Sequence, residues 1–271
     1  MGATHSARAI GLDTRAPVLE VFASFQGEGR FVGEPQVFVR LWGCPLRCRW
    51  CDTPGSWRLP EEPRARVSVT DGVRREDGWA TPFQAASWIA AAEPGLPRTV
   101  SITGGEPLLW PGFVRALGAF LGSRRVHLET AGAHPEALSQ VLDAVDHVSL
   151  DLKLPEDLDA PEPVHGARER MPTNASEWAS VRQAVLPLVR GRDACGKLIL
   201  AGGRAARAFA PILDDVAALA PELPLIVQPV TPMNGVRAPA LAEVAALAEL
   251  ARERELDVRV IPQVHRQLGI P

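Results

Sequence analysis

Three of the four cysteines in this chain fall together as Cys44, Cys48 and Cys51, in the spacing C-x3-C-x2-C. Thiolates that close hold three irons of a cubane cluster on one loop and leave the fourth iron without a protein ligand. A structural zinc site asks for four closed ligands, and no fourth Cys or His lies nearby in the sequence. An iron left open is what a cluster needs if it is to bind and reduce a substrate. The plain alternative is three loop cysteines with a chance disulfide. Against it stands the concentration of three cysteines here in a chain that has four. Cys195, alone and distant, reads most simply as a small apolar residue.

The cysteine loop is entered directly from an apolar run, Gln36–Trp42, itself preceded by Val18–Ser24. Residues 54–81 carry Pro, Gly and charge without clear periodicity and read as an excursion over the surface. Thr81-Pro82 then supplies an N-cap and a first-turn proline for a helix through Ala92. Beyond it, short apolar runs follow at Thr99–Thr103, Val126–Thr130, His147–Leu152, Lys197–Leu200, Leu225–Val230 and Val258–Pro262. Between them lie helix-like segments near 111–121, 135–144, 175–189, 205–220 and 238–255. Such alternation predicts a parallel sheet with crossover helices, in the α/β class. The strand count of about six to seven falls short of a closed eight-stranded barrel. Residues 1–16 read as a tail and 17–271 as one domain, a size that 271 residues fit comfortably. Cys44–Cys51, Gly104–Pro107, Thr130–Gly132, Lys153 and Gln228 all sit just after apolar runs. Those are the carboxyl ends of strands, the rim on which parallel barrels carry their sites. The Pro- and charge-rich loop Pro155–Asn174 is expected to cover or flank that rim.

Composition narrows the function classes. A net charge of −3 with no long basic run argues against a nucleic-acid footprint. No stretch approaches the ~18 consecutive apolar residues of a membrane span, and the first sixteen residues lack a secretory apolar core. Clustered reduced cysteines and a reductive cofactor place the protein in the cytoplasm. The chain has two lysines, Lys153 and Lys197, against 27 arginines, and no tyrosine. Against such a bias, a retained lysine asks whether a compact ammonium is required.

Companion motifs sharpen the reading. Upstream lies Val21-Phe-Ala-Ser-Phe-Gln-Gly-Glu-Gly29; downstream lie Thr103-Gly-Gly-Glu-Pro107, Glu129-Thr-Ala-Gly132, Ser149-Leu-Asp-Leu-Lys153 and Gln228-Pro-Val230. With them the chain resembles the radical S-adenosylmethionine enzymes and, among these, the 7-carboxy-7-deazaguanine synthases, from about Val18 to Pro271. The resemblance implies a partial (β/α) barrel, a 4Fe–4S cluster, S-adenosylmethionine and Mg2+. The reaction it implies converts 6-carboxy-5,6,7,8-tetrahydropterin to 7-carboxy-7-deazaguanine, with ring contraction and loss of ammonia, for queuosine-type deazapurines. It further implies an external reductant such as flavodoxin or ferredoxin, and a homodimer. One rival is a glycyl-radical activase, which has no reason for the Gln-Gly-Glu-Gly lead. The other is a non-catalytic iron–sulfur electron carrier, which leaves the open iron and the glycine turn unexplained.

Site residues follow from the same resemblance. The backbone at Trp50, Cys51 and Asp52 approaches the cofactor, as does Gly105, and Glu106 accepts from the methionyl ammonium. Ser149, Asp151 and Lys153 alternate on one strand face, where Lys153 either pairs with the cofactor carboxylate or is a plain strand-end cation. Gln228, with the backbone of Pro229, Val230 and Thr231, meets the adenine and ribose. Trp42 and Trp50 are expected to pack against the cluster. The Thr53 hydroxyl is the Mg2+ ligand. Phe25, Gln26, Gly27, Glu28, Arg40, Thr103 and Pro271 form the substrate side. Within it, Glu28 reads the amino-pyrimidine edge and Pro271 brings a terminal carboxylate. Arg40 is either salt-bridged for structure or waiting for an anion. Chemistry belongs to the cluster and the 5′-deoxyadenosyl radical, so no side chain is named as catalytic.

Overall fold

In the computed structural model, which describes residues 14–93, 95–164 and 170–271, the apolar runs become strands covered on both faces. The strands are β1 (Ala16–Phe25), β2 (Pro35–Leu41), β3 (Arg47–Cys48), β4 (Arg64–Val69), β5 (Gly72–Asp77), β6 (Trp79–Ala80) and β7 (Thr99–Gly104). They continue with β8 (Val126–Thr130), β9 (His147–Asp151), β10 (Leu158–Asp159), β11 (Ala194–Leu200), β12 (Leu225–Pro229) and β13 (Val258–Val260). The helices are α1 (Pro82–Ala92), α2 (Pro111–Leu121), α3 (Pro135–Val141), α4 (Ala175–Val189), α5 (Ala210–Leu219), α6 (Leu241–Arg252) and α7 (Val264–Leu268).

Strands β2, β7, β8, β9, β11, β12 and β13 run parallel in that spatial order. β1 joins antiparallel to β2, and β4 and β5 extend the sheet beyond it. β13 and β5 remain as edges, so the barrel is partial. A parallel strand sandwiched between layers reads as a continuous apolar run. β11 shows this, with every residue buried, Lys197 among them. Helices cover the outer face through Phe113 and Leu117 of α2, Leu138 of α3, Leu186 of α4, Leu213 of α5 and Leu247 of α6, all in one core. Each such side chain contributes about 1.5–3 kcal/mol on burial. The start of α1 is fixed as expected: Thr81 Oγ1 accepts from Gln84 N while Gln84 Oε1 accepts from Thr81 N.

Residues 54–81 depart from the expected excursion. They hold the β4–β5 hairpin, turned at Thr70-Asp71, and β6, which pairs with the start of β1. The hairpin buries little beyond Ala65 and Val67, while β5 is almost wholly exposed, so its alternation is faint. The tail read over 1–16 lies outside the described residues up to residue 13, and β1 opens at the fully buried Ala16. The loop after β9 runs back over the cysteine segment as a strap. β10 pairs antiparallel with β3, Glu162 N donates to Pro45 O, and the Glu162 carboxylate meets Arg47 at 2.8 Å. No described helix is long and apolar enough to cross a membrane.

Candidate active site

The carboxyl ends of the parallel strands open on one cleft of about 1070 Å³, open mouth included. Its cysteine wall is built on a backbone contact. Gly105 N donates to Leu41 O at 2.9 Å and Glu106 N to Gly43 O at 2.8 Å. A Cβ on Gly105 would lie 2.0 Å from Gly43 O, and one on Gly104 2.2 Å from Leu41 N. The two glycines therefore seat the loop that carries the cysteines. Cys44 and Cys48 are buried, Cys51 is half-buried, and all three are free thiols packed with Leu46, Ala133, Met171 and Trp178 under Trp50 and Trp57. Burial pushes the Cys44 thiol far above its ordinary value, and pushes the Cys48 thiol up to about 11 against the pull of Lys153. Thiolates here need the charge of a metal centre to form. Trp42 lies outside this group; its carbonyl accepts from Trp110 Nε1 instead.

Opposite the cysteines runs a row of ion pairs. Lys153 Nζ sits 2.7 Å from Asp151 Oδ2 and 4.5 Å from the centre of the Trp50 ring. Lys197 Nζ lies 2.9 Å from Asp151 Oδ1, 3.0 Å from Glu28 Oε2 and 4.0 Å from Glu129 Oε2. Burial would raise the Asp151 carboxyl, but Lys153 and Lys197 outweigh it and hold the group down to about 2. Burial likewise opposes the charge on both lysines, and the surrounding carboxylates, Asp151 first, keep them protonated. Sequence reasoning named Lys153 and left Lys197 inside a strand. The signal for it was the count of two lysines.

The third wall comes from the end of the chain. Gln263 Nε2 donates to Glu28 Oε1 at 2.8 Å, His265 Nε2 lies 3.5 Å from Asp52 Oδ2, and Arg266 donates to Asp52 O. Gly27 gives His265 its space, since a Cβ there would meet the imidazole at 2.2 Å. Ser24 Oγ donates to Pro271 O at 3.1 Å. Burial opposes the charge on Asp52, but the His265 hydrogen bond, then Arg40 and Arg266, hold it below the usual carboxylate range. Arg40 is salt-bridged to Glu20 at 2.8 Å and also lines the cleft.

Of the residues expected at the site, Phe25, Gln26, Gly27, Glu28, Arg40, Thr103 and Pro271 all line the cleft. So do Trp50, Asp52, Thr53, Gly105, Asp151, Lys153 and Gln228, with the three cysteines. Glu106, Ser149, Pro229, Val230 and Thr231 do not. Glu106 is buried under the rim, where Oε1 accepts from Thr130 Oγ1 and Leu108 N and Oε2 accepts from Ala131 N. Those three donors make the carboxylate a tie between the ends of β7 and β8. Ser149 faces the barrel axis and bonds His127 Nε2 at 2.8 Å. Val230 packs with Ile199 and Ala201 behind Trp50.

Below the cleft the barrel interior is polar. Gln26 Nε2 donates to Glu129 Oε1 at 3.1 Å, and His127, Ser149, Cys195 and His147 continue downward to Asp193, which His147 Nδ1 meets at 2.9 Å. Burial, helped by His147, Lys197 and Arg125, holds His127 well below its ordinary value, so it is neutral.

Residues 42–182, more than half of the chain, match the Radical SAM superfamily. Over 261 residues the chain is 34% identical to the 7-carboxy-7-deazaguanine synthase of Geobacter sulfurreducens, covering 94% of this chain and 97% of that protein. This chain belongs to the 7-carboxy-7-deazaguanine synthase family. A second relative of that description, from Methanothermobacter thermautotrophicus, is 32% identical over 265 residues, covering 94% of this chain and 98% of that one. The crystal structure of QueE from Escherichia coli shares the fold, with a TM-score of 0.57 at 20% identity over 94% of this chain and 99% of that one. Membership brings a 4Fe–4S cluster and S-adenosylmethionine, and the residues present fit that pair. Three soft thiols converge on one wall. Among the described residues the buried Gln228 Oε1 and Trp50 Nε1, both on cleft-lining side chains, have no hydrogen-bond partner. Buried polar atoms are otherwise nearly always paired.

Proposed function

We propose that this protein converts 6-carboxy-5,6,7,8-tetrahydropterin to 7-carboxy-7-deazaguanine, with ring contraction and release of ammonia. The observation that carries the reading is the shared cleft: the cysteine wall, the Phe25–Glu28 segment, Thr103 and Pro271 all face one space. Cys44, Cys48 and Cys51 would hold the cluster. When bound, cluster and S-adenosylmethionine supply the 5′-deoxyadenosyl radical that takes a hydrogen from the pterin ring.

The chain's own residues bind, orient and exclude water. Trp50 and Trp57 shield the cysteine wall, and Lys153 stands ready for the methionyl carboxylate, with Gln228 for the adenine. Glu106 serves as the brace of the rim. Glu28, already an acceptor-only group, takes the parallel N–H donors of the amino-pyrimidine. Arg40 and His265 border the substrate side with Gln26, Gly27, Thr103 and Pro271. Mg2+ is proposed on Thr53, a hard oxygen donor that suits that ion; the residue before it, Asp52, brings a carboxylate within 4.8 Å of donor atoms of Glu28 and His265. Residues 17–271 act as one domain, working as a homodimer in the cytoplasm with a flavodoxin- or ferredoxin-type reductant.

The test is direct. Anaerobically reconstituted protein, given reductant, S-adenosylmethionine, Mg2+ and the pterin, forms 7-carboxy-7-deazaguanine and ammonium. Formation of 5′-deoxyadenosine with the pterin left intact would turn the assignment toward another radical enzyme, such as a glycyl-radical activase. No 5′-deoxyadenosine at all would favour an electron carrier.

A further inference from the structure

We infer that Lys197 is a positioning residue that couples binding of the pterin to binding of S-adenosylmethionine, an inference resting on the function proposed above. Its ammonium has three donors and faces carboxylates from three segments: Glu28 after β1, Glu129 on β8 and Asp151 on β9. Two of these carboxylates are shared. The second oxygen of Glu28 accepts from Gln263, and the second oxygen of Asp151 accepts from Lys153. A continuous rail results: Gln263, Glu28, Lys197, Asp151, Lys153 and then the Trp50 ring in the cysteine loop. The groups proposed to receive the two ligands, Glu28 and Lys153, stand on either side of the Lys197–Asp151 pair.

The rail transmits because its bonds compete. Pterin N–H donors arriving on Glu28 take over acceptor capacity that Lys197 now uses. The ammonium then turns toward Asp151 and toward Glu129, which at 4.0 Å is within a small movement of bonding. An Asp151 better satisfied by Lys197 holds Lys153 less tightly, and Lys153 is freer to meet the cofactor carboxylate. In reverse, a carboxylate that draws Lys153 away leaves Asp151 dependent on Lys197, which relinquishes Glu28 to the pterin. Both exchanges lead to the same arrangement, so each ligand favours the other by the same factor. With both lysine side chains only 5% exposed, water screens these exchanges little. A compact ammonium turns its three donors freely among carboxylates on different sides, where a guanidinium holds its donors fixed in one plane. That is a reason for both lysines of an arginine-rich chain to stand on this rail.

The experiment uses the cluster-loaded protein with the cluster oxidised, so that no cofactor is cleaved, and titrates pterin calorimetrically with and without S-adenosylmethionine. The wild type should bind each ligand more tightly in the presence of the other, by the same factor in the range of about 5–150-fold. Lys197→Met should bring that factor close to one. Asp151→Asn cuts the same rail and serves if the first variant fails to hold its cluster. A wild-type factor of one, or a folded variant that keeps the wild-type factor, overturns the coupling. A wild type that binds no pterin instead tells against the proposed function. Independent of any variant, lysine carrying carbon-13 at Cε gives one side-chain resonance each for Lys153 and Lys197. Pterin alone should shift both, although its proposed seat on Glu28 adjoins Lys197 and not Lys153. A stationary Lys153 resonance overturns the relay.

Discussion

Replacing Gly105 by Ala tests how the cysteine loop is seated. The new Cβ would lie 2.0 Å from Gly43 O and 2.4 Å from its carbonyl carbon, whereas real Cβ contacts essentially never fall under 3.0 Å. One backbone segment must therefore retreat by about 1 Å. Neither is a flexible side chain, and both are pinned by the Gly105–Leu41 and Glu106–Gly43 hydrogen bonds. Gly105 has no positive φ to lose, so the variant isolates close approach from backbone strain. Overpacking of this kind costs ~1–3 kcal/mol, which in a chain of this size lowers the melting temperature by a few degrees. The larger effect is on turnover. Gly43 directly precedes Cys44, and a displacement of ~1 Å at a reacting centre costs ~10²-fold in rate. The assay compares iron and sulfide per chain, melting temperature and the rate of 7-carboxy-7-deazaguanine formation in both proteins. Gly105→Ala should still take up iron but turn over about a hundredfold more slowly. Full activity with an unshifted melting temperature would show that the glycine turn does not seat the loop.

Three further outcomes are expected. Replacing Cys44, Cys48 or Cys51 by Ala should remove the cluster, while Cys195→Ala, whose thiol sits by Ser149 and His147 inside the barrel, should keep full iron; the opposite pattern would refute the ligand assignment. Thr53→Ala should weaken the response of activity to Mg2+ while leaving S-adenosylmethionine binding unchanged, and identical Mg2+ titrations would remove Thr53 from the metal. His127 is held neutral by burial, with a folded pKa below its unfolded one, so the unfolded chain takes up the proton first. Its contribution to stability is complete above pH ~6.5 and is lost as pH falls below that, by up to ~1.4 kcal/mol per pH unit. Urea unfolding at pH 7.5 and 5.5 should therefore show a smaller loss for His127→Gln than for the wild type, and equal losses would show that His127 does not carry this dependence.

Where a strand is wrapped on both faces, its apolar run stands out in the sequence, and β2, β7, β8, β9, β11 and β12 were all legible that way. The β4–β5 hairpin was not, because it buries only Ala65 and Val67 and shows water the rest. The readable clue there was Thr70-Asp71-Gly72, a run that holds the turn-favouring Asp and Gly where the two strands reverse. At the site, the cysteine spacing and the residues on the rim were legible because their chemistry is local. What was hidden depends on neighbours far along the chain. Glu106 looks free until Thr130, Leu108 and Ala131 are seen to claim it. Ser149 shares an alternating run with Asp151 and Lys153, yet it lies deeper along the barrel axis, against His127. Lys197 is masked by the apolar residues around it.

The strap has a consequence for the order in which this protein matures. β3 lies between two cysteines of the cluster wall, but its partner β10 follows it by more than a hundred residues, as the Arg49–Asp159 separation of 110 shows. At ribosomal speeds of ~5–20 residues per second, that partner emerges roughly 5–20 s later. During that interval the cysteine loop has neither its outer strand nor the Glu162–Arg47 clasp, and its thiols face the surroundings. Iron delivery and oxidative damage therefore compete for the same exposed loop. The loop gains its outer cover only once β10 and Glu162 have been made and have folded back onto β3 and Arg47.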